Sequence, residues 1–322
     1  MRFSRSVSSA LALVLMLFPF SARAETYAEK LGWKPGDRVV IFHCDDAGMS
    51  HSSNAGAIEG LEKGMVTSVS VMTPCSWVPE FARYLEKHPQ VDAGLHLTLT
   101  SEWDLYRWGP VAGKPAVPGL VDKEGCLWDN VDLVTKHATP DEVEKEIRAQ
   151  VDRARTMGMP ITHLDSHMGT LFASKEFFER MLKVAMETKT PVLAVGGHMT
   201  LVTKGNPDAV QTLKGYSEKI WNAGLPVIDD IFAETYDWKT QDKTALFADL
   251  LKNLKPGITE IIVHCTRPTE EFPLISPSTD TRLGDLNAMC DPVLKKLVKD
   301  EHILLTTWRE LKERRDKVAA GK

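Results

Sequence analysis

Short runs of β-branched and apolar residues alternate with amphipathic segments of helical periodicity along most of this chain. No other feature constrains its fold as much. Strands are predicted at residues 38–43, 67–72, 91–97, 162–165, 191–195, 226–228, 260–265 and 303–305. One long helix is predicted between the last two, at 283–299. Because strands that alternate with helices form parallel sheets, these seven or eight units in about 290 residues favour an α/β, TIM-barrel-like (β/α)7–8 single domain.

One segment, at about residues 100–138, interrupts the alternation and shows no clear strand or helix period. A loop of this length in a compact domain is usually functional or disordered. Its aromatic residues argue against disorder, and they suit either stacking on sugar rings or packing of the loop on itself; they are Trp103, Tyr106, Trp108 and Trp128. We therefore predict a barrel domain at 25–322 that carries a long loop insertion.

The first 24 residues have the pattern of a secretory signal peptide. Arg2 and Arg5 precede an apolar run at 10–20, and an A-x-A-like sequence ends at Ala24. The run is too short to span a membrane comfortably. We expect cleavage after Ala24 and a periplasmic or secreted protein that no longer contacts the membrane; the alternative is a retained N-terminal anchor.

Composition and motifs exclude several classes of function. The formal net charge is −5, and the sequence has no basic stripe of the kind that binds nucleic acid. Neither a GxGxxG nor a GxxxxGK[ST] motif follows a predicted strand, which argues against a nucleotide-dependent enzyme. The same composition is compatible with a homodimer.

Histidine and aspartate residues concentrate at the predicted strand ends. The first strand runs into residues 43–46 (HCDD), the third contains His96, the fourth runs into residues 163–167 (HLDSH), and the seventh ends at His264. The chain has only 10 histidines, so scatter over surface helices would not place them at four strand ends. Because active sites of barrels lie at the carboxyl ends of the strands, these residues are candidates for chemistry.

Asp46, His96 and His167 are the predicted metal ligands. One carboxylate and two imidazoles suit a divalent ion and leave positions for water and a substrate oxygen. The set favours Mg²⁺ or Zn²⁺ and also admits Co²⁺ or Mn²⁺. Asp45, the neighbour of one ligand, could stay free as a general base.

Each of these residues alone has a structural explanation. A pair of aspartates after a strand can cap a helix. His96, in an apolar strand, could be a hydrogen-bonded core histidine, and His43 and His163 are expected to be structural. Only the joint placement at successive strand ends favours a site.

Five segments together resemble, in order, the motifs of the YdjC-like (ChbG-type) carbohydrate deacetylases. The resemblance extends from residue 38 to about 310, and its motifs are VIFHCDDAGMS at 40–50, VTSVSVM at 66–72, GLHLTLT at 94–100, THLDSH at 162–167 and EIIVH at 260–264. It implies a barrel-like fold and a hydrolase that cleaves acetamide C–N bonds in N-acetylated sugars such as chitooligosaccharides.

The resemblance also implies roles for individual residues. It places a divalent metal ion on Asp46, His96 and His167, and it makes Asp45 the general base for a metal-activated water. His264 would lie near the scissile group as an acid or as a partner of the oxyanion.

Three departures from the family pattern leave the substrate open. Ala47 replaces the phenylalanine of DDFG, Met168 follows His167 where relatives continue with further histidines, and Cys265 follows the late histidine in place of proline. Three alternatives stand beside the deacetylase: a metal-dependent hydrolase of another ester or amide, a glycosidase with paired acids such as Asp45 and Asp165, and a non-enzymatic exported sugar-binding protein.

Overall fold

A parallel sheet of seven strands forms the core of the computed structural model, which describes residues 24–202, 204 and 209–321. The strands are β1 (Arg38–Ala47), β2 (Ser68–Val71), β3 (Ala93–Leu97), β4 (Leu164–Ser166), β5 (Asp230–Phe232), β6 (Gly257–Val263) and β7 (Leu304–Leu305). Their order is β4-β3-β2-β1-β6-β5, and β7 pairs with the start of β1. The prediction of an α/β, barrel-like parallel sheet is confirmed, whereas the number of repeated units stays a prediction.

Isolated bridges continue the sheet between its two edge strands. Leu164 of β4 bridges Val192, and Val195 bridges Ile228, just before β5. Both bridges are parallel, so the sheet curves towards a ring. The strands predicted at 191–195 and 226–228 are therefore present as single bridges rather than as regular strands.

Helices follow most strands and cover the sheet. They are α1 (Tyr27–Lys30), α2 (His51–Lys63), α3 (Val78–Lys87), α4 (Val131–His137), α5 (Pro140–Thr156), α6 (Lys175–Thr188), α7 (Ala209–Asn222), α8 (Lys243–Asn253), α9 (Phe272–Ile275), α10 (Thr279–Cys290), α11 (Pro292–Asp300) and α12 (Trp308–Ala319). Short 3-10 helices lie at Pro118–Leu120, His167–Phe172, Glu234–Asp237 and Thr240–Asp242. Among the described residues, no helix combines the length and the apolar composition that a bilayer crossing requires.

Helix α5 shows how local sequence fixes these elements. Thr139 and Glu142 form a capping box at its start, and Pro140 occupies its first turn. Val143 and Ile147, four residues apart, lie on one face and are fully buried. The helix thus begins where its caps are and packs through its apolar face.

Two predictions about helices are wrong. The single helix predicted at 283–299 is divided into α10 and α11, because Pro292 has no N–H to continue a helix and Asp291 caps the second one. The segment 100–138 contains α4, which Asn130 caps, although only Val134 of that helix is buried. One buried residue gives no detectable periodicity. The predicted signal peptide falls almost entirely on residues 1–23, outside the described residues.

Candidate active site

The carboxyl end of β1 is irregular, and this irregularity positions two neighbouring aspartates. The pairing with β2 shifts between Cys44 and Ala47, and Asp46 has a φ of 68°. Adjacent residues of a regular strand point to opposite faces, whereas a bulge can re-aim a side chain. Here both carboxylates approach the same imidazole: His96 Nε2 lies 3.6 Å from Asp45 Oδ2 and 3.5 Å from Asp46 Oδ1.

Asp46, His96 and His167 come together around one carboxylate oxygen. Asp46 Oδ1 lies 3.5 Å from His96 Nε2 and 3.4 Å from His167 Nδ1, and it is buried without a hydrogen-bond partner. Ligand atoms about 2.1 Å from a tetrahedral metal ion lie about 3.4 Å apart. The donor types, the spacing and the unpartnered oxygen therefore all fit a divalent cation.

Carboxylates hold the outer nitrogens of both histidines. Asp165 Oδ1 lies 2.7 Å from His96 Nδ1, and the two oxygens of Glu102 lie 3.0 and 3.1 Å from His167 Nε2. Histidines that bind metals usually donate their second N–H in this way, which fixes the tautomer and the ring orientation. The roles of Asp165 and Glu102 as partners of the ligand histidines were not predicted from the sequence, although Asp165 belongs to the motif at residues 163–167.

Arg282 of α10 holds the other oxygen of Asp46. Its Nη1 donates to Asp46 Oδ2 over 2.6 Å, and both side chains are buried. Burial opposes ionisation of Asp46, but the charges of Arg282 and His167 hold its pKa well below the ordinary value. The carboxylate is thus an anion that presents a single oxygen, Oδ1, to a cation.

His167 is a cation in this arrangement. Burial alone would lower its pKa, but the charges of Glu102 and Asp46 and the hydrogen bonds to Glu102 raise it to about 10. A metal ion would have to replace the proton on Nδ1, because only a neutral imidazole nitrogen binds a metal.

Asp45 has one engaged oxygen and one that faces the metal-binding cluster. Its Oδ1 lies 3.2 Å from His43 Nε2 and accepts a hydrogen bond of 3.3 Å from Ser70, whereas Oδ2 faces His96 and His264. Burial would raise the pKa of Asp45, but the charge of His96 and the hydrogen bond from His43 keep it below the ordinary value. Asp45 is therefore ionised and can accept a proton at Oδ2.

His43 is structural in position, as expected, but it connects functional groups. Its Nε2 lies 2.9 Å from Asp165 Oδ2 and 3.2 Å from Asp45 Oδ1, and its Nδ1 lies 3.0 Å from Ser68 Oγ. The buried imidazole thereby links the partner of His96 to the candidate base.

His264 approaches the same oxygen of Asp45 that His96 approaches. Its Nε2 is 3.8 Å from Asp45 Oδ2, and its backbone N–H donates to Asp285 Oδ2 over 2.9 Å. Burial lowers the pKa of His264 to about 4, so the imidazole is neutral at neutral pH. Asp285 is in turn paired with the buried Lys243, 2.6 Å away.

The aromatic residues of segment 100–138 pack largely on the segment itself. The indole of Trp108 is buried and donates to the carbonyl oxygen of Thr100, and that of Trp128 donates to Gly119. Tyr106 donates to the carbonyl oxygen of Met49, just after β1. Of the two interpretations of these side chains, the observed contacts support packing of the segment on itself. The hydrogen bond of Tyr106 also places the segment against the end of β1.

Comparisons with known proteins identify the family of this chain. The profile of the family described as YdjC-like protein matches residues 39–300. A Thermus thermophilus protein named carbohydrate deacetylase is 30% identical over 285 residues, which are 88% of this chain and 97% of the relative. A Klebsiella pneumoniae protein named chitooligosaccharide deacetylase is 25% identical over 286 residues, 85% of this chain and 100% of that protein.

A solved structure supports the fold. A protein of Enterococcus faecalis V583, described as a cellobiose-phosphate cleavage protein, superposes with a TM-score of 0.73 at 21% identity, over 85% of this chain and 99% of its own. At that identity the likeness concerns the fold alone. Because the family profile spans most of the sequence, and because the Thermus thermophilus relative matches over nearly its whole length, the chain belongs to the YdjC-like family.

Proposed function

We propose that this protein is a metal-dependent carbohydrate deacetylase, a hydrolase that removes acetyl groups from N-acetylated sugars such as chitooligosaccharides. The observation that carries the proposal is the buried, unpartnered Oδ1 of Asp46 between His96 and His167, with the ionised Asp45 beside it. The names of the two family relatives support the acetylated sugar as substrate.

Asp46, His96 and His167 would hold the metal ion, with Mg²⁺ or Zn²⁺ as the proposed ion and Co²⁺ or Mn²⁺ as substitutes. When bound, such an ion supplies a Lewis acid that polarises a carbonyl and lowers the pKa of water. Arg282 keeps Asp46 ionised, so the site retains a negative ligand when both imidazoles are neutral.

Asp45 acts as the general base in this mechanism. Its Oδ2 faces the metal-binding cluster and takes a proton from the attacking water. Its Oδ1 is held by His43 and Ser70, which fixes the carboxylate plane. The same carboxylate can return the proton to the departing amine.

His264 donates a hydrogen bond in the neutral form. With its pKa near 4, an imidazolium would be scarce at neutral pH, whereas a neutral ring still carries one N–H. That N–H is suited to the negative charge that develops on the acetamide oxygen. Of the two roles that the resemblance implies, partner of the oxyanion is the one the surroundings of His264 support.

The contacts of Asp165 weigh against a glycosidase. Both of its oxygens are engaged, Oδ1 by His96 and Oδ2 by His43. A pair of glycosidase acids must have oxygens free to flank the scissile bond, whereas both oxygens of Asp165 are held by histidines. Hydrolysis of another ester or amide remains the alternative, because a metal site does not select the acyl group.

The test is acetate release from N-acetylated chitooligosaccharides by purified residues 25–322. We expect release that a chelator abolishes and that added Mg²⁺, Zn²⁺, Co²⁺ or Mn²⁺ restores to different extents. Release that persists after complete metal removal would contradict metal dependence. Stoichiometric metal binding without acetate release would support the metal site but not this substrate, and other acylated sugars and esters would then be tested.

We also propose that the chain is exported. The proposal follows from the pattern of residues 1–24. Expressed from its full sequence in a Gram-negative host, the protein should be recovered from the periplasm or medium with Glu25 as its first residue, as determined by intact mass. A cytoplasmic protein that retains residues 1–24 would refute export.

A further inference from the structure

We infer that Glu102 is a positioning residue of the metal site, which holds the ring of His167 so that Nδ1 faces the cation. The inference rests on the metal site of the proposed function and adds a requirement to it. Glu102 belongs to the segment 100–138, outside the strands and the 3-10 helix that carry the ligands, so the segment would complete the site.

The two ligand histidines face Asp46 through different ring nitrogens. His96 faces Asp46 Oδ1 through Nε2, and its Nδ1 is held by Asp165. His167 faces the same oxygen through Nδ1, at 3.4 Å, and its Nε2 lies within 3.1 Å of both oxygens of Glu102. The rings meet at 71° with centroids 5.1 Å apart. A rotation of the His167 ring would remove Nδ1 from the cluster.

The backbone at His167 is fixed by contacts that do not involve its ring. The following residue, Met168, has a φ of 51°, and Thr170 Oγ1 donates to the carbonyl oxygen of His167. Within the described part of the chain, Nε2 of His167 donates hydrogen bonds to Glu102 alone. The carboxylate of Glu102 therefore determines the orientation of the imidazole.

Glu102 is itself held by a folded segment. Ser101 donates its backbone N–H to the carbonyl oxygen of Trp128, and its hydroxyl accepts from the backbone N–H of Trp108. The indole of Trp108 returns a hydrogen bond to Thr100. These contacts anchor the backbone immediately before Glu102, so the carboxylate approaches His167 from a defined position.

Metal affinity, measured without turnover, tests the inference. In the proposal, Glu102→Ala weakens binding of Zn²⁺ and Co²⁺ to the full mature chain by about 10–100-fold, the usual effect of removing such a partner. Glu102→Gln weakens it less, because the amide oxygen still accepts from Nε2 without the charge. Asp104→Asn, an exposed acid of the same segment, is the matched control and leaves the affinity unchanged.

Affinities come from competition with a chromophoric chelator, and circular dichroism and thermal unfolding establish that each variant is folded. Wild-type affinity in folded Glu102→Ala overturns the inference. A loss well beyond 100-fold, with a changed Co²⁺ absorption spectrum, makes Glu102 a ligand and also overturns it. If the alanine variant does not fold, affinity of the glutamine variant equal to wild type overturns the inference.

The outcome separates this inference from the proposed function. If the wild type binds no metal, the metal site and the role of Glu102 fail together. If the variants show the expected order of affinities while acetate release is absent, the role of Glu102 stands and only the substrate is wrong.

Discussion

Asp45→Asn is expected to lower kcat for acetate release by about 10²–10⁴-fold, the usual contribution of a general base. An amide cannot accept the proton that Oδ2 of the carboxylate would take. The variant should fold, because Asn keeps the shape of the side chain and an oxygen for Ser70, and because His43 retains Asp165 as a charged partner. Metal affinity should change little, since Asp46 rather than Asp45 is the ligand.

Asp46→Asn is the matched comparison, one residue along the same strand end. It should lose metal affinity together with activity, and its Arg282 loses a charged partner 2.6 Å away. Acetate release and metal binding measured on both variants separate the two roles. Undiminished kcat in Asp45→Asn would remove Asp45 from the mechanism, and equal metal loss in both variants would make both aspartates ligands.

The fold and the candidate site residues could be predicted because they follow from local patterns. Buried β-branched runs mark strands, and the carboxyl ends of parallel strands meet at one edge. Asp46, His96 and His167 were therefore expected to converge, and they lie within 4.8 Å of one another through their candidate ligand atoms. Local patterns therefore identified the residues that follow each strand.

The partners of these residues could not be predicted, because they depend on tertiary packing. Arg282 follows Asp46 by 236 positions and lies on helix α10, and an arginine normally indicates a solvated position. Glu102 lies in a segment without strand or helix periodicity. For Asp165, the sequence did not determine the direction in which the side chain points. The φ of 68° at Asp46 could not be predicted either, although Asp tolerates the left-handed region better than most residues.

Lys243→Met is expected to destabilise the protein by about 3–5 kcal/mol, the usual result of breaking a buried ion pair by removing one partner. Lys243 is 1% exposed and Asp285 is fully buried; Nζ lies 2.6 Å from Asp285 Oδ1 and also donates to the carbonyl oxygen of Thr235. Methionine fills similar volume but removes the ion-pair partner of the Asp285 carboxylate. Urea denaturation would give the change in the free energy of unfolding.

The loss should be specific to the pair and should extend to the active site. Lys252→Met, an exposed lysine on the same helix, should change stability by less than about 0.5 kcal/mol. Adding Asp285→Leu to Lys243→Met should restore part of the stability, because the double variant buries no charge. It should also lower kcat, since Asp285 Oδ2 accepts from the backbone N–H of His264. A double variant as unstable as the single one would mean that Lys243 acts through Thr235 rather than through Asp285.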